Sequence, residues 1–325
     1  MVRGRNRAGP ARGGLAAVAL SLALGACAAG GPLPAPLAPA GLAPVEGPTV
    51  AGADGQPLAL TVWPPKGPVR AALLAAHGFG DHGARAFADA APVWAAAGVA
   101  VYAYDHRGFG RNPSRLYWPG TDALVDDFAA VAAQIAERHP DVPLVALGHS
   151  MGGGVALAAM GEGRAPAVDG AILMAAAIAG GAQTSLAARA GVWTLGAVAP
   201  DRRFQGGGLA TFRPTDDEAR LRALSADPLH IGQPSGREIL GLLRVMDRAA
   251  AAAPAVDRPV LVLHGARDEL VDPDAALAVA ATIPGAREVV VYPEGWHLLL
   301  DDLQRDRVRD DILAWVLALA QGADG

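Results

Sequence analysis

Cysteine is nearly absent from this chain of 325 residues, in which Cys27 is the only one. A single thiol cannot form an internal disulfide, so a disulfide-stapled fold is excluded. Long apolar runs are also missing, because the most continuous one, residues 15–26, is too short to cross a bilayer as a helix. Basic residues are not in excess: the net charge is −5, which gives the chain no electrostatic attraction to nucleic acid.

The N-terminus has the features of an export signal. Four arginines, at positions 3, 5, 7 and 12, precede the apolar stretch LAAVALSLALGA. The residues LGAC at its end resemble the bacterial lipobox, in which the cysteine is diacylated and becomes the first residue after cleavage. We therefore expect residues 1–26 to be a lipoprotein signal peptide and Cys27 to anchor the protein to a bacterial membrane, on its periplasmic or outer-surface face. An ordinary cleavage site beside an incidental cysteine is the alternative.

Residues 27–50 form a stretch rich in proline, alanine and glycine. Such a composition buries little surface and has no helical period, so it predicts a semi-extended tether. Removing residues 1–26 takes away four arginines and no acidic residue, which changes the net charge from −5 to −9. Residues 51–325 are then long enough for one large folded domain.

Apolar runs that favour strands alternate with helical patterns along this domain. Several runs are continuous, as in strands that are covered on both faces. Between two of them, Leu124, Phe128, Val131 and Ile135 keep one face of a helix. The pattern predicts an α/β fold with a mostly parallel, doubly wound sheet. The predicted strands lie at residues 58–63, 69–77, 99–105, 143–149, 170–176, 259–265 and 287–293.

One interval between predicted strands is too long for a single crossover helix. It separates the strands at 170–176 and 259–265 and contains Trp193, Phe204 and Phe212. We expect a helical cap inserted at about residues 178–250.

The stretch LVALGHSMGGGVALAAM, residues 144–160, places a serine between a strand and a helix. Gly148, Ser150 and Gly152 fit G-x-S-x-G, which in this context is typical of a nucleophile elbow. A strained turn of this kind lifts the serine hydroxyl clear of the sheet, and flanking side chains would clash. Ser150 is therefore the candidate nucleophile.

A serine hydroxyl needs a base, and the base needs an orienting acid. His297, in EGWHLLLDD just past the last predicted strand, is the best placed of the eight histidines. Asp268, in GARDELVD after the preceding strand, is the candidate acid, with Asp272 and Asp274 as rivals. The chain order serine, acid, histidine is that of the nucleophile-elbow hydrolases.

An oxyanion intermediate needs two hydrogen-bond donors. The residue after the nucleophile, Met151, supplies one backbone N–H in this type of site, and the loop after an early strand supplies the other. The loop AAHGFGDHG, residues 75–83, is in that place and makes Phe79 the second candidate.

The same loop imitates two other motifs. From Gly78 to Gly83 it matches the G-x-G-x-x-G of dinucleotide-binding folds, with Asp105 near the position of a ribose-binding acid. A dehydrogenase would leave Ser150 and its partners unexplained and does not suit an exported chain. The loop also resembles the metal motif H-x-H-x-D-H, but Phe79 replaces one ligand. We therefore predict neither a cofactor nor a metal.

Five blocks together resemble the monoglyceride lipase and lysophospholipase branch of the α/β-hydrolases, often labelled serine aminopeptidase S33. They are HGFGDH, YDHRGFGRN, GHSMGG, GARDELVDP and WHLLLDD, and the resemblance extends over about residues 55–320. It implies an α/β-hydrolase fold, the triad Ser150, Asp268 and His297, and oxyanion donors at Phe79 and Met151. It also implies a structural role beside the oxyanion loop for the segment Asp105 to Arg107.

The expected function is hydrolysis of carboxylic esters, most readily of monoacylglycerols or lysophospholipid-like lipids, through an acyl-enzyme. We expect Trp193, Phe204 and Phe212 of the cap to offer an apolar surface above Ser150 for the acyl chain.

Two alternatives remain open. The first is an aminopeptidase acting on free N-termini, for which the acidic run Asp216, Asp217 and Glu218 could meet an ammonium group. The second is a catalytically silent lipoprotein of hydrolase fold that binds a ligand. The sequence does not determine the oligomeric state.

Overall fold

The protein is described by a computed structural model for residues 45–180, 185–204, 212–285 and 287–323. The predicted signal peptide, Cys27 and most of the predicted tether lie outside the described residues. Eight strands form one sheet: β1 (Thr49–Ala51), β2 (Pro57–Trp63), β3 (Ala71–Ala76), β4 (Val99–Tyr104), β5 (Leu144–His149), β6 (Gly170–Met174), β7 (Val260–Gly265) and β8 (Arg287–Tyr292).

The strand order across the sheet is β1-β2-β4-β3-β5-β6-β7-β8. Strands β3 to β8 run parallel, whereas β2 is antiparallel to both β1 and β4. Every residue of β3, β4, β5, β6 and β7 is buried, as expected of strands with helices on both faces. The predicted doubly wound, mostly parallel sheet is confirmed.

The described residues also form nine α-helices. They are α1 (Gly83–Ala86), α2 (Ala91–Ala96), α3 (Thr121–Arg138), α4 (Met151–Gly161), α5 (Leu186–Val198), α6 (Glu218–Ala226), α7 (Gly236–Ala252), α8 (Pro273–Ala280) and α9 (Arg305–Ala323). Two apolar clusters make the core. One contains buried residues of α3, α4, α7 and α8, and the other contains those of α2 and α9, so the two clusters lie on opposite faces of the sheet.

The seven predicted strands are all present, each within two residues of its predicted limits. Strand β1 was not predicted, because three residues are too few to carry an alternation pattern. It pairs with β2 and buries Val50, which joins the core.

The long interval between β6 and β7 contains α5, α6 and α7. Helix α7 packs against α4 and so returns the chain to the sheet, while α5 packs on α7. Arg189 of α5 makes a bidentate ion pair with Asp247 of α7, at 2.6 and 2.8 Å. The limits of the cap at residues 178–250 stay a prediction. No helix among the described ranges is both long and apolar enough to cross a membrane.

Candidate active site

Ser150 stands between the end of β5 and the first residue of α4. Its backbone has φ 50° and ψ −117°, a left-handed conformation that few residues other than glycine adopt. The carbonyl oxygen of Met174 accepts its amide N–H at 3.0 Å, and its own carbonyl accepts the amide of Ala177 at 2.8 Å. Neighbouring strand β6 and the segment after it therefore hold the strained turn in place.

The two glycines of the motif are required by packing. A Cβ atom on Gly152 would overlap the carbonyl oxygen of Ala76 at the end of β3, and one on Gly148 would overlap the backbone of Gly153. The turn is therefore possible only where both flanking residues lack a side chain.

Three side chains from three separate loops meet at this turn. His297 Nε2 lies 3.0 Å from Ser150 Oγ, and His297 Nδ1 lies 2.8 Å from Asp268 Oδ2. A carboxylate only accepts, so Nδ1 carries the hydrogen and Nε2 is left as the acceptor for the serine hydroxyl. All three residues are less than 9% exposed. The structure thus brings together the serine, acid and histidine that the sequence singled out.

Asp268 is the member of its loop that reaches the histidine. Its Oδ1 accepts the amides of Leu270 and Val271 at 2.8 and 3.0 Å, which fixes the carboxylate in the turn after β7. The rival Asp272 caps α8 by accepting the amide of Ala275 at 3.0 Å, and the rival Asp274 is exposed in the first turn of that helix.

The local environment keeps Asp268 ionised. Burial by itself raises the pKa of this carboxyl, but hydrogen bonds from His264, His297 and the Val271 amide outweigh burial and lower the pKa well below its ordinary value. Asp268 is therefore a carboxylate at neutral pH.

The sequence did not single out His264, which contacts the Asp268 carboxylate. It lies in β7, and its Nε2 is 3.3 Å from Asp268 Oδ2. Its only sequence signal was its position four residues before the aspartate, which does not distinguish it from the other histidines at strand ends.

His149 links the nucleophile turn to the histidine loop. Its Nε2–H donates to the carbonyl oxygen of His297 at 3.2 Å, and the two rings are 5.1 Å apart. Burial, with the nearby His297 ring, lowers the pKa of His149 to about 3. The imidazole is therefore neutral and serves to hold the loop.

The proposed oxyanion loop follows β3. In the described part of the chain, neither the Phe79 nor the Met151 amide N–H has an acceptor, so both are free to bind an anion. The His77 side chain connects this loop to the segment after β4. Its Nδ1–H donates to the carbonyl of Gly78 at 2.8 Å, and its Nε2 accepts the amide N–H of His106 at 2.9 Å. With both ring nitrogens engaged by the backbone, His77 has none left for a metal ion.

The far side of the loop is fastened by charged residues. Asp81 forms an ion pair with Arg85, which also reaches Asp301 at 3.0 Å. His82 Nε2 lies 2.9 Å from Asp227 Oδ2, which joins the loop to the end of α6. The loop is thus tied both to the histidine loop and to the segment between β6 and β7.

Asp105 and Arg107 have structural contacts. Asp105 is completely buried, accepts the Gly83 amide at 2.9 Å and pairs with Arg111 at 3.0 Å. Arg107 pairs with Asp127 at 2.8 Å. The carboxylate that the dinucleotide-binding alternative would use for a ribose is therefore engaged inside the fold.

The segment before α6 lies across the acid and histidine loops. The Arg213 amide donates to Glu269 at 2.8 Å, and the Leu298 amide donates to the carbonyl of Pro214 at 2.8 Å. The Arg213 guanidinium lies 5.2 Å from the centre of the Trp296 ring. These contacts attach the predicted cap directly to the loops that carry Asp268 and His297.

The three aromatic residues predicted in the cap have varied surroundings. The Trp193 ring lies 5.1 Å from the guanidinium of Arg244, and Phe204 lies 5.7 Å from that of Arg202. Phe212 is 57% exposed. That these rings line an acyl pocket above Ser150 stays a prediction, and residues 181–184 and 205–211 of the same interval lie outside the described residues.

Comparison with known proteins finds one family and, within the curated relatives, proteins named monoacylglycerol or monoglyceride lipase. Residues 67–304 match the family described as Serine aminopeptidase, S33. The chain is 33% identical over 279 residues to a monoacylglycerol lipase of Mycolicibacterium smegmatis, covering 82% of this chain and 95% of that protein. It is 28% identical over 280 residues to the monoglyceride lipase of Rattus norvegicus, covering 83% of this chain and 89% of that protein.

Solved structures show the same fold. The crystal structure of a Paleococcus ferrophilus monoacylglycerol lipase aligns with a TM-score of 0.69 at 20% identity, over 81% of this chain and 99% of that one. A soluble variant of the Saccharomyces cerevisiae monoglyceride lipase, in complex with a substrate analog, aligns with a TM-score of 0.63 at 23% identity, over 81% of this chain and 92% of that one.

Proposed function

The chain belongs to the serine aminopeptidase S33 family of α/β-hydrolases, and we propose that within it this protein hydrolyses single-chain lipid esters, with monoacylglycerols as its first substrate class. The observation that carries the proposal is the unbroken hydrogen-bonded relay Ser150–His297–Asp268 on a strained nucleophile turn. The relatives named monoacylglycerol or monoglyceride lipase supply the substrate class.

Acylation follows from the relay. His297 Nε2 takes the proton of Ser150 Oγ as the oxygen attacks the ester carbonyl. Asp268 stabilises the imidazolium that forms and keeps its Nδ1–H pointed inward. The negative oxygen of the tetrahedral intermediate binds to the free amides of Phe79 and Met151, and the second of these also lies at the positive end of α4.

Collapse of the intermediate releases the alcohol. His297 gives its proton to the departing glycerol oxygen, and an acyl group remains on Ser150. Water then enters and loses a proton to the same imidazole as its oxygen attacks the acyl carbonyl, and His297 returns that proton to Ser150 Oγ as the fatty acid leaves. The side chains described here supply each proton transfer of this cycle.

An aminopeptidase activity has less support. Asp217 caps α6 and pairs with Arg305 at 3.0 Å, and Asp216 accepts the amide of Leu303 at 2.8 Å. Glu218 is exposed and pairs with Arg222 at 3.7 Å. The acidic run that the aminopeptidase alternative would use to bind an ammonium group is therefore engaged in structural contacts.

The substrate proposal is tested by a chain-length series. Each buried CH₂ contributes about 0.8 kcal/mol, so kcat/KM should rise about two- to fourfold per methylene until the acyl site is full. Purified full-length protein would be assayed on monoacylglycerols, on p-nitrophenyl esters from C2 to C12, and on alanyl-p-nitroanilide. A flat or falling ester series would contradict a lipid substrate, and an anilide cleaved faster than every ester would favour the peptidase.

The silent-lipoprotein alternative needs a separate measurement. A fluorophosphonate probe should label the wild-type protein and leave Ser150→Ala unlabelled, because only an activated serine reacts. A wild-type protein that stays unlabelled while it is folded would contradict an ester hydrolase mechanism.

Anchoring through Cys27 is the second part of the proposal. Its support is the sequence alone: the basic segment, the short apolar run and LGAC. Acylation at Cys27 would hold the hydrolase at the membrane where its substrates lie. Protein made in its native host should give an N-terminal peptide that begins with diacylated Cys27, and Cys27→Ser should lose the lipid mass. An unmodified N-terminus on a soluble product would reject the anchor.

A further inference from the structure

His264 presents a second imidazole to the acid of the relay. It is 1% exposed and lies in β7, four residues before Asp268. Its Nε2 is 3.3 Å from Asp268 Oδ2 and 3.2 Å from the carbonyl oxygen of Val271. The same Oδ2 is the atom that accepts from His297.

The contacts determine the tautomer of His264. Both atoms that face its Nε2 are acceptors, a carboxylate oxygen and a carbonyl oxygen. The hydrogen therefore lies on Nε2, where it is bonded to the Val271 carbonyl and also faces Asp268 Oδ2 at 3.3 Å, close enough to help lower the pKa of that carboxyl. Asp268 then has four donors: two backbone amides on Oδ1 and two imidazoles on Oδ2.

We propose that His264 is a positioning residue for the relay, which holds the Asp268 carboxylate toward His297 and shares its negative charge. The inference rests on the proposed function, since it assigns a role within that relay. A donor on Asp268 weakens the attraction of the carboxylate for the His297 proton. Loss of His264 should therefore make His297 a stronger base and move the acidic limb of the pH profile upward.

Other titratable or charged groups lie around the relay, and every variant in the comparison keeps them. They are His149 on the nucleophile turn, Asp302 after the histidine loop, Glu269 and Arg267 on the acid loop, Glu294 paired with Arg267, and Arg213 over Trp296. Asp302 titrates in the same range, because burial raises its pKa to about 6. Differences between His264 variants are therefore assigned to position 264.

The test uses the rate at which a fluorophosphonate labels Ser150 between pH 4.5 and 9, which needs no knowledge of the substrate. His264→Phe removes the donor while filling the space, and we expect its labelling midpoint to rise by about half to one pH unit. His264→Gln places an N–H near the position of Nε2 and should restore the wild-type midpoint. His264→Asn is too short to reach Asp268 and should behave like His264→Phe, which provides a second variant if the first fails to fold.

His139→Phe is the matched control, because among the described residues the ring of this histidine is hydrogen-bonded to Tyr102, at 2.8 Å, and to no member of the relay. It should leave the midpoint unchanged. If all His264 variants lower Tm yet keep the wild-type midpoint, His264 is structural and the inference is wrong. If wild-type protein is not labelled at all, the proposed function fails instead, so the two failures are distinguishable.

Discussion

Replacing Asp268 with asparagine tests the relay at the carboxylate, both of whose oxygen atoms face N–H donors. Oδ1 receives two amide donors and Oδ2 receives the N–H groups of His264 and His297. An asparagine amide must turn its NH₂ group toward one of these pairs of donors. Turned toward the imidazoles, it makes Nδ1 of His297 an acceptor and leaves a hydrogen on Nε2, which then cannot take the proton of Ser150.

The size of the effect follows from the geometry. At 2.8 Å and an effective dielectric constant of about 20, a carboxylate and an imidazolium attract each other by about 6 kcal/mol. Since about 1.36 kcal/mol is a factor of ten in rate, kcat should fall by about 10³ to 10⁴. In the asparagine variant, the side-chain NH₂ group faces one pair of N–H donors inside the buried turn. This mismatch should also lower the free energy of unfolding by about 1–3 kcal/mol, and the protein should stay folded.

The assay is kcat on a medium-chain p-nitrophenyl ester, together with the unfolding midpoint in urea. Asp272→Asn is the matched control, because asparagine caps a helix as well as aspartate does and the capping contact to Ala275 is kept. It should retain wild-type kcat and stability. If Asp268→Asn keeps more than a tenth of the activity while Asp272→Asn loses it, the assignment of the acid is wrong.

Four further substitutions have expected outcomes. Ser150→Ala should fold normally and lose about 10⁴ or more of kcat on the same ester, and retained turnover would exclude it as the nucleophile. Gly152→Ala should destabilise the protein by more than about 3 kcal/mol in urea unfolding, because its Cβ would overlap the carbonyl of Ala76. Gly191→Ala, in α5 with open space around it, should instead stabilise by up to about 1 kcal/mol, and equal effects of the two changes would refute the packing argument. Burial raises the pKa of Asp302 to about 6, so the folded state retains a proton that the unfolded chain loses between about pH 4 and 6, and stability falls as pH rises through that window. The Tm advantage of Asp302→Asn over wild type should therefore be greater at pH 8 than at pH 4.5, and a constant difference would contradict the raised pKa.

Local patterns in the sequence were enough for the sheet and for the nucleophile turn. A fully buried parallel strand reads as a continuous apolar run, so β3 to β7 could be found without knowledge of their partners. Gly148 was predictable because its Cβ would overlap the backbone of Gly153, five residues along the chain. Gly152 was predictable only from the motif, because its Cβ would overlap the Ala76 carbonyl of the neighbouring strand β3. Strand β1 escaped because a three-residue element is stabilised by its partner β2 rather than by its own pattern.

The choice among Asp268, Asp272 and Asp274 needed the fold. The three lie within seven residues after the same strand, and the sequence named Asp268 as the candidate without showing its contact to the histidine. Only the structure shows that the turn after β7 aims Asp268 at His297 while Asp272 caps the following helix. The hydrogen bond between His82 and Asp227 likewise could not be predicted from the sequence, since 145 residues separate the two side chains.

By itself, then, the sequence determined the doubly wound sheet, the strained turn at Ser150 and the short set of residues from which a relay could be built. These depend on backbone sterics and on the burial of neighbouring residues, which act over a few positions of the chain. Tertiary structure decided which acid meets His297, that His264 shares its oxygen, and how Arg213 and Pro214 attach the cap to the catalytic loops. Those contacts join residues that are far apart in the sequence or that a turn must orient. They form only when strands β5, β7 and β8 lie in register, because the carboxyl ends of these strands then meet at one edge of the sheet.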